Sequence, residues 1–178
     1  MTNQGNIFLT GFMGSGKSSM GKKLSQLLRR DFVDLDKYIE KKTGTSIPVI
    51  FSKEGEPAFR AIEQTCLLEL LRDCQKSVIA LGGGTVCFFD NVSHIKQNGL
   101  LIYLQLPPKA LAERIKKSST KRPLLQNLKS EDLLQTIENK LENRRQYYEQ
   151  AHITVSALNL TAQILQHNII EFQKAHNF

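Results

Sequence analysis

The segment Gly11-Phe12-Met13-Gly14-Ser15-Gly16-Lys17-Ser18 fits the spacing G-x-x-x-x-G-K-[ST], the pattern of a loop that cradles phosphates. Glycines let backbone N–H groups curl around phosphate oxygens with no Cβ in the way. A helix beginning near Gly16 would add the positive end of its dipole. Lys17 is then expected to reach the β- and γ-phosphates, the Ser18 hydroxyl to hold Mg²⁺, and Gly14, Ser15, Gly16 and Ser19 to complete the nucleotide-binding set. The alternative is a glycine-rich turn without a ligand. The apolar Ile7-Phe8-Leu9 before the loop and the helical pattern after it favour a nucleoside triphosphate site.

Other residues offer chemistry for an acceptor. Phe32-Val33-Asp34-Leu35-Asp36 ends an apolar run with carboxylates at i and i+2, which share one face if the chain there is extended. One would hold the metal through its water shell while the other meets a substrate hydroxyl. Asp36 could instead merely cap a helix starting at Lys37. Arg60 and Glu63 stand at i and i+3, the spacing of a surface ion pair worth roughly a few tenths of a kcal/mol. A planar guanidinium fork is also what a small carboxylic acid requires. Gly82-Gly83-Gly84 directly follows Val78-Ile79-Ala80-Leu81. A plain loop needs one glycine, so three in a row predict a backbone that something approaches closely. Arg122 falls in a polar, proline-interrupted stretch that reads as a flap, from which an arginine could swing onto the phosphates and closure could exclude water.

These residues need a frame. Candidate strands run from Ile7 to Thr10, Phe32 to Leu35, Val78 to Leu81, Leu100 to Leu104 and Ile153 to Val155. Helical patterns lie between them: Lys17 to Arg29, Pro57 to Arg72, Lys109 to Lys117, Glu131 to Gln150 and Leu160 to Ala175. Phe59, Ile62, Cys66, Leu67 and Leu70 fall three and four apart, one face of a helix. Such alternation predicts an α/β fold, a parallel sheet covered by helices on both faces. These sheets bind ligands beyond the carboxyl ends of their strands, and each motif above follows a strand.

At 178 residues, with 40% hydrophobic and 23% charged residues, the chain suits one globular domain with a real core. No apolar run approaches a membrane span, and Met1 to Asn6 has no basic region leading into a long apolar stretch. Cys66, Cys74 and Cys87 form no Cys-x-x-Cys pair, so a disulfide framework and a cysteine-built zinc site are not expected and a reducing cytoplasm is. His94, His152, His167 and His176 are scattered without metal-ligand spacing. The net charge of +7 is spread over short, separated basic stretches without interleaved aromatics. It suits a small anionic substrate or a solvated surface, with no nucleic-acid partner expected.

The ordered set of phosphate loop, Phe-x-Asp-x-Asp, Phe59-Arg60-x-Ile62-Glu63, triple glycine and Arg122-Pro123-Leu124-Leu125 resembles shikimate kinase. The resemblance runs from Ile7 to about Ala151, most of the chain. It implies a three-layer sandwich of the nucleoside-monophosphate-kinase type, whose five-stranded parallel sheet has order 2-3-1-4-5. It implies one kinase domain, 1–178, with a substrate-binding segment at about 36–63 and a lid at about 117–130. The implied reaction is MgATP plus shikimate giving ADP plus shikimate 3-phosphate, by a monomer that needs Mg²⁺.

In that family Lys17, Asp36 and Arg122 would be catalytic, with Asp36 binding shikimate hydroxyls and acting as, or standing near, the base. Ser18 and Asp34 would serve the metal, and Arg114 and Arg122 the nucleotide. Arg60, oriented by Glu63, would bind the substrate carboxylate, and Phe51 and Phe59 would line the ring or simply pack in the core. Gly82, Gly83 and Gly84 would approach the hydroxyls and the phosphoryl group. The family's Arg-x-Pro-Leu-Tyr stretch corresponds to Arg144-Arg145-Gln146-Tyr147-Tyr148, which lacks the proline and leucine. Arg144 keeps the arginine-to-tyrosine spacing and is the choice for a second carboxylate contact, with Arg145 as the alternative. Gluconate or nucleotide kinases on the same fold, a binding module without turnover and a switch NTPase are the rivals.

Overall fold

In a computed structural model, which describes residues 5–117 and 130–176, five strands form one parallel sheet. They are β1 (Asn6–Thr10), β2 (Phe32–Asp34), β3 (Val78–Ala80), β4 (Gly99–Gln105) and β5 (Ile153–Ser156), in the order β2-β3-β1-β4-β5. This is the expected order. β1 lies at the centre, with Ile7 opposite Val78 on one side and Leu100 on the other.

Side chains alternate across the sheet because the strand period is two, and here both faces are covered. Ile7, Leu9, Leu100, Ile102 and Leu104 enter one buried cluster with Leu24, Leu111 and Leu165. Phe8, Leu101 and Tyr103 enter the other with Leu35, Phe59 and Leu67. That is why β1 and β4 read as nearly continuous apolar runs.

The helices are α1 (Lys17–Leu28), α2 (Leu35–Thr43), α3 (Ile47–Asp73), α4 (Asn91–Gln97), α5 (Pro108–Lys117), α6 (Ser130–Tyr148) and α7 (Ala162–His176). α3 is two limbs joined at Gly55, whose φ of 80° and ψ of 174° leave helical space, a region essentially confined to glycine. The helix expected from Pro57 is the second limb, with proline at a first-turn position that needs no N–H donor. Its first limb, α2 and α4 escape periodicity because they are short: α2 buries only Leu35 and Ile39, and α4 only Asn91 and Ile95.

The phosphate loop follows β1, the aspartates straddle the junction of β2 with α2, and the glycine run follows β3, so the motifs gather at the carboxyl edge of the sheet. The sequence-predicted lid, including Arg122, lies outside the described residues except at its two ends.

Candidate active site

The phosphate loop turns into α1 at Gly16, the N-cap residue, with φ 95° and ψ 16°, a left-handed conformation that glycine adopts without a steric penalty. Lys17 is buried, and its Nζ donates to the carbonyls of Gly11 (2.8 Å) and Phe12 (3.1 Å). The ammonium is thus held across the loop it serves. Ser15 Oγ and Thr10 Oγ1 are buried without a hydrogen-bond partner among the described residues, an arrangement that suits a polar ligand at the loop. Ser18 and Ser19 are exposed on the first turn of α1. From α5, the Arg114 guanidinium donates to the carbonyls of Ser15 (3.4 Å) and Ala157 (3.4 Å), tying the loop to the turn after β5.

The two aspartates are placed differently from the extended geometry expected of them. α2 begins at Leu35, and its cap is Asp34 rather than Asp36: Asp34 Oδ1 accepts from the Lys37 N–H at 3.3 Å. Asp34 Oδ2 also accepts from Ser18 Oγ at 2.5 Å. A hydroxyl and a carboxylate this close are hard oxygen donors of the kind Mg²⁺ takes, the remaining positions being filled by water and phosphate. The donor set therefore fits the metal.

Asp36, in the first turn of α2, faces Gly82 instead, where a Cβ would come within 3.0 Å of its Oδ1. Its side chain is exposed to solvent although protein groups crowd around its carboxyl. Desolvation is the main cause that pushes its carboxyl up to about 6, with Lys17 opposing and Asp34, Glu63 and Glu40 adding to the rise.

Arg60 and Glu63 are not a surface pair. Both are buried, at 7% and 1% exposure, and Arg60 Nη1 donates to Glu63 Oε2 at 2.8 Å. Glu63 Oε1 accepts from Thr85 Oγ1 at 2.7 Å, and Glu56 Oε1 takes Arg60 Nε (3.2 Å) and Nη2 (2.8 Å). Burial works against the guanidinium's charge, but Glu63 and Glu56 together outweigh it and raise its pKa. The rings of Phe59 and Phe88 lie 5.0 and 4.2 Å from its central carbon. A Cβ on Gly84 would stand 2.8 Å from Nη2. Part of the glycine run is therefore explained by protein side chains: Asp36 and Glu63 against Gly82, Arg60 against Gly84. Phe59 belongs to the core and packs at a tilt against half-buried Phe51, with ring centroids 4.6 Å apart and ring planes 35° apart.

The last turn of α6 reaches the same place. Arg144 Nη1 donates to the Gly83 carbonyl at 3.0 Å, as does the Tyr148 hydroxyl at 2.5 Å, and the Arg144 guanidinium lies 5.5 Å from the centroid of the Phe12 ring. Arg60, Asp36 and Arg144 thus gather on the glycine run, beside the phosphate loop. A buried arginine fork, an acid of raised pKa and a phosphate cradle are a set suited to moving a phosphoryl group onto a hydroxylated carboxylic acid.

The family model described as shikimate kinase matches residues 13–173. This chain belongs to the shikimate kinase family. A shikimate kinase of Alkaliphilus oremlandii is 48% identical over 145 residues, 81% of this chain and 83% of that protein. The structure of the Acinetobacter baumannii shikimate kinase in complex with shikimate superposes with a TM-score of 0.86 at 37% identity, covering 98% of this chain and 95% of the other. A gluconokinase of Sinorhizobium meliloti shares the fold alone, with a TM-score of 0.62 at 19% identity, over 99% of this chain and 96% of that one.

Where this chain departs from the family's Arg-x-Pro-Leu-Tyr pattern, the two arginines have different surroundings. Arg145 is 62% exposed and pairs with Glu142 and Glu149. It lines a groove of about 410 Å³ beside Tyr103, Pro108 and Leu141, to which the phosphate loop and the glycine run contribute nothing. Arg144 alone of the two meets the glycine run. Sequence reasoning overlooked Thr85, Phe88, Glu56 and Tyr148 as site residues. Glu56 could have been found from its i, i+4 spacing to Arg60 and Tyr148 from the arginine-to-tyrosine spacing, but Thr85 and Phe88 carry no local signal.

Proposed function

We propose that this kinase transfers the γ-phosphoryl group of MgATP to the 3-hydroxyl of shikimate, giving shikimate 3-phosphate and ADP, a step in making chorismate and aromatic amino acids. The observation that carries the substrate is the Arg60 fork, buried, oriented by Glu63 and set against the same glycine run as Asp36. Arg144 supplies a second cation for the same carboxylate, and Phe51 and Phe59 an apolar wall for the ring.

In the reaction the shikimate oxygen bonds to phosphorus as the bond to the ADP oxygen breaks, and the hydroxyl proton passes to Asp36. A carboxyl pushed up to about 6 is mostly ionised at neutral pH and still basic enough to accept that proton. Lys17 and the loop amides, from Gly14 to Ser19, neutralise charge on the phosphates, with Arg114 bracing the loop from outside. Ser18 and Asp34 would hold Mg²⁺, which supplies charge neutralisation on the β- and γ-phosphates when bound. The assignment of Arg122 to the transferring phosphoryl group, in a lid at about 117–130, rests on the family resemblance. So does a monomeric state, whereas a single domain over 1–178 follows also from length and composition and a cytoplasmic location from the cysteine usage; among the described residues no helix is long and apolar enough to cross a membrane.

The test is ADP release from MgATP with shikimate, gluconate, a panel of nucleoside monophosphates or no acceptor, with the product weighed by mass spectrometry. Shikimate-dependent release with a shikimate phosphate product is expected. Release with another acceptor instead would reassign the substrate, and nucleotide hydrolysis indifferent to acceptors would remove the kinase reading.

A further inference from the structure

Two acids hold Arg60, and they differ in kind. Glu63 is 1% exposed and fastened at its other oxygen by Thr85. Glu56 has a half-exposed side chain and spans both Nε and Nη2 with one oxygen, Oε1. Those two nitrogens form an edge that takes a carboxylate bidentately. On its other sides Nη1 is bonded to Glu63, the Gly84 backbone comes so near that a Cβ there would stand 2.8 Å from Nη2, and the Phe59 and Phe88 rings lie 5.0 and 4.2 Å from the central carbon. Of the two acids on the fork, Glu56 is the one whose side chain reaches solvent.

We infer that Glu56 is a resident carboxylate on the fork where the acceptor's own carboxylate docks, and that exchange of one for the other sets acceptor affinity and selects for acids. The inference rests on the shikimate reading above and extends it to a residue that determines specificity. The exchange conserves charge, one carboxylate leaving as another arrives, so the buried guanidinium never faces an uncompensated state, which would be costly. A neutral polyol brings no replacement charge and cannot displace Glu56 on equal terms. The backbone gives Glu56 its place: Gly55, in its glycine-only conformation, and Pro57, opening the second limb of α3, set it on the kink one turn before Arg60. Rotation of its side chain into solvent is enough to release the fork.

The test uses the full chain with Glu56→Gln and Glu56→Ala, measuring KM for shikimate, for ATP, and for the analogue whose carboxyl is replaced by hydroxymethyl. A half-exposed ion pair of this kind corresponds to a fall of about two- to fivefold in the shikimate KM. The ATP KM is expected to stay put and the neutral analogue to show no such gain, a split that a merely structural role for Glu56 would not produce. Gln retains a neutral acceptor for the fork, so its effect should not exceed that of Ala. An unchanged or raised shikimate KM in both folded variants, with wild type turning shikimate over, overturns the exchange and leaves the function standing. A wild-type enzyme that ignores shikimate overturns the function and the exchange with it.

Discussion

Replacing Asp36 with Asn is expected to stabilise the folded protein at neutral pH while disabling it. The carboxyl is pushed up to about 6 in the folded chain and returns to near 3.9 on unfolding. Between those values the folded state binds more protons than the unfolded one, so this residue's contribution to stability falls as pH rises through the window. At pH 7 its ionisation is a cost. A rise of that size corresponds to at most about 3 kcal/mol, but Asp36 keeps contact with solvent, and screening brings the expected figure to about 1 kcal/mol. Asn is neutral at every pH and escapes that cost.

Urea unfolding at pH 7.5 should therefore show the Asp36→Asn protein more stable by about 1 kcal/mol. The gain should shrink as pH falls through that window and vanish below about pH 3.9, where Asp36 is protonated in both the folded and the unfolded state. Turnover should drop by about a hundredfold or more with ATP binding retained. In the wild type, kcat/KM for shikimate should decline below about pH 6, as expected of an acid–base group in the unliganded enzyme. A variant less stable than wild type at pH 7.5, or equally stabilised at both pH values, would refute desolvation as the source of the raised pKa. Such a trade of stability for activity is what a strained functional site predicts.

Glu63→Ala leaves Arg60 buried with only the half-exposed Glu56 for charge and strips Thr85 of its acceptor, so a loss of about 3–5 kcal/mol is expected in urea unfolding. A loss below about 1 kcal/mol would mean the pair behaves as a surface one. Arg144→Ala should raise the shikimate KM at least about tenfold by removing a charged contact, whereas Arg145→Ala should leave it unchanged and alter stability by less than about 0.5 kcal/mol; steady-state kinetics on both decides. Tyr148→Phe keeps the ring stacked on Tyr103, 4.8 Å between centroids, and loses only the bond to the Gly83 carbonyl, which Arg144 still satisfies. A cost of about 1 kcal/mol is expected, against about 3–5 kcal/mol for Tyr148→Ala, which also opens a cavity; thermal or urea unfolding of the two variants separates bond from packing.

The phosphate loop was legible because it is contiguous: all its chemistry lies within eight neighbouring residues, Gly11 to Ser18, and its backbone conformation is dictated by glycine. The five strands were legible because a sheet buried on both faces must be apolar throughout β1 and β4. Their ends differ from the sequence reading by a residue or so. Short elements such as α2 and α4 were not, since two buried positions make no period.

What only the tertiary structure decided depends on partners far apart in the chain. Asp34 rather than Asp36 became the helix cap because α2 starts one residue after β2 ends, and that choice turned the two carboxylates toward Ser18 and Gly82 respectively. Arg60 and Glu63 have the same spacing whether exposed or buried; Thr85, arriving after β3, and Phe88 beyond it enclose them. Arg144 and Arg145 are adjacent in sequence and alike in chemistry, but neighbouring helix positions point about 100° apart. One therefore meets the Gly83 carbonyl and the other meets the acids of its own helix. Residue types and spacing determined that phosphate and acid could be bound here; the approach of α2, α3 and α6 to the glycine run determined which side chains stand where they could do so.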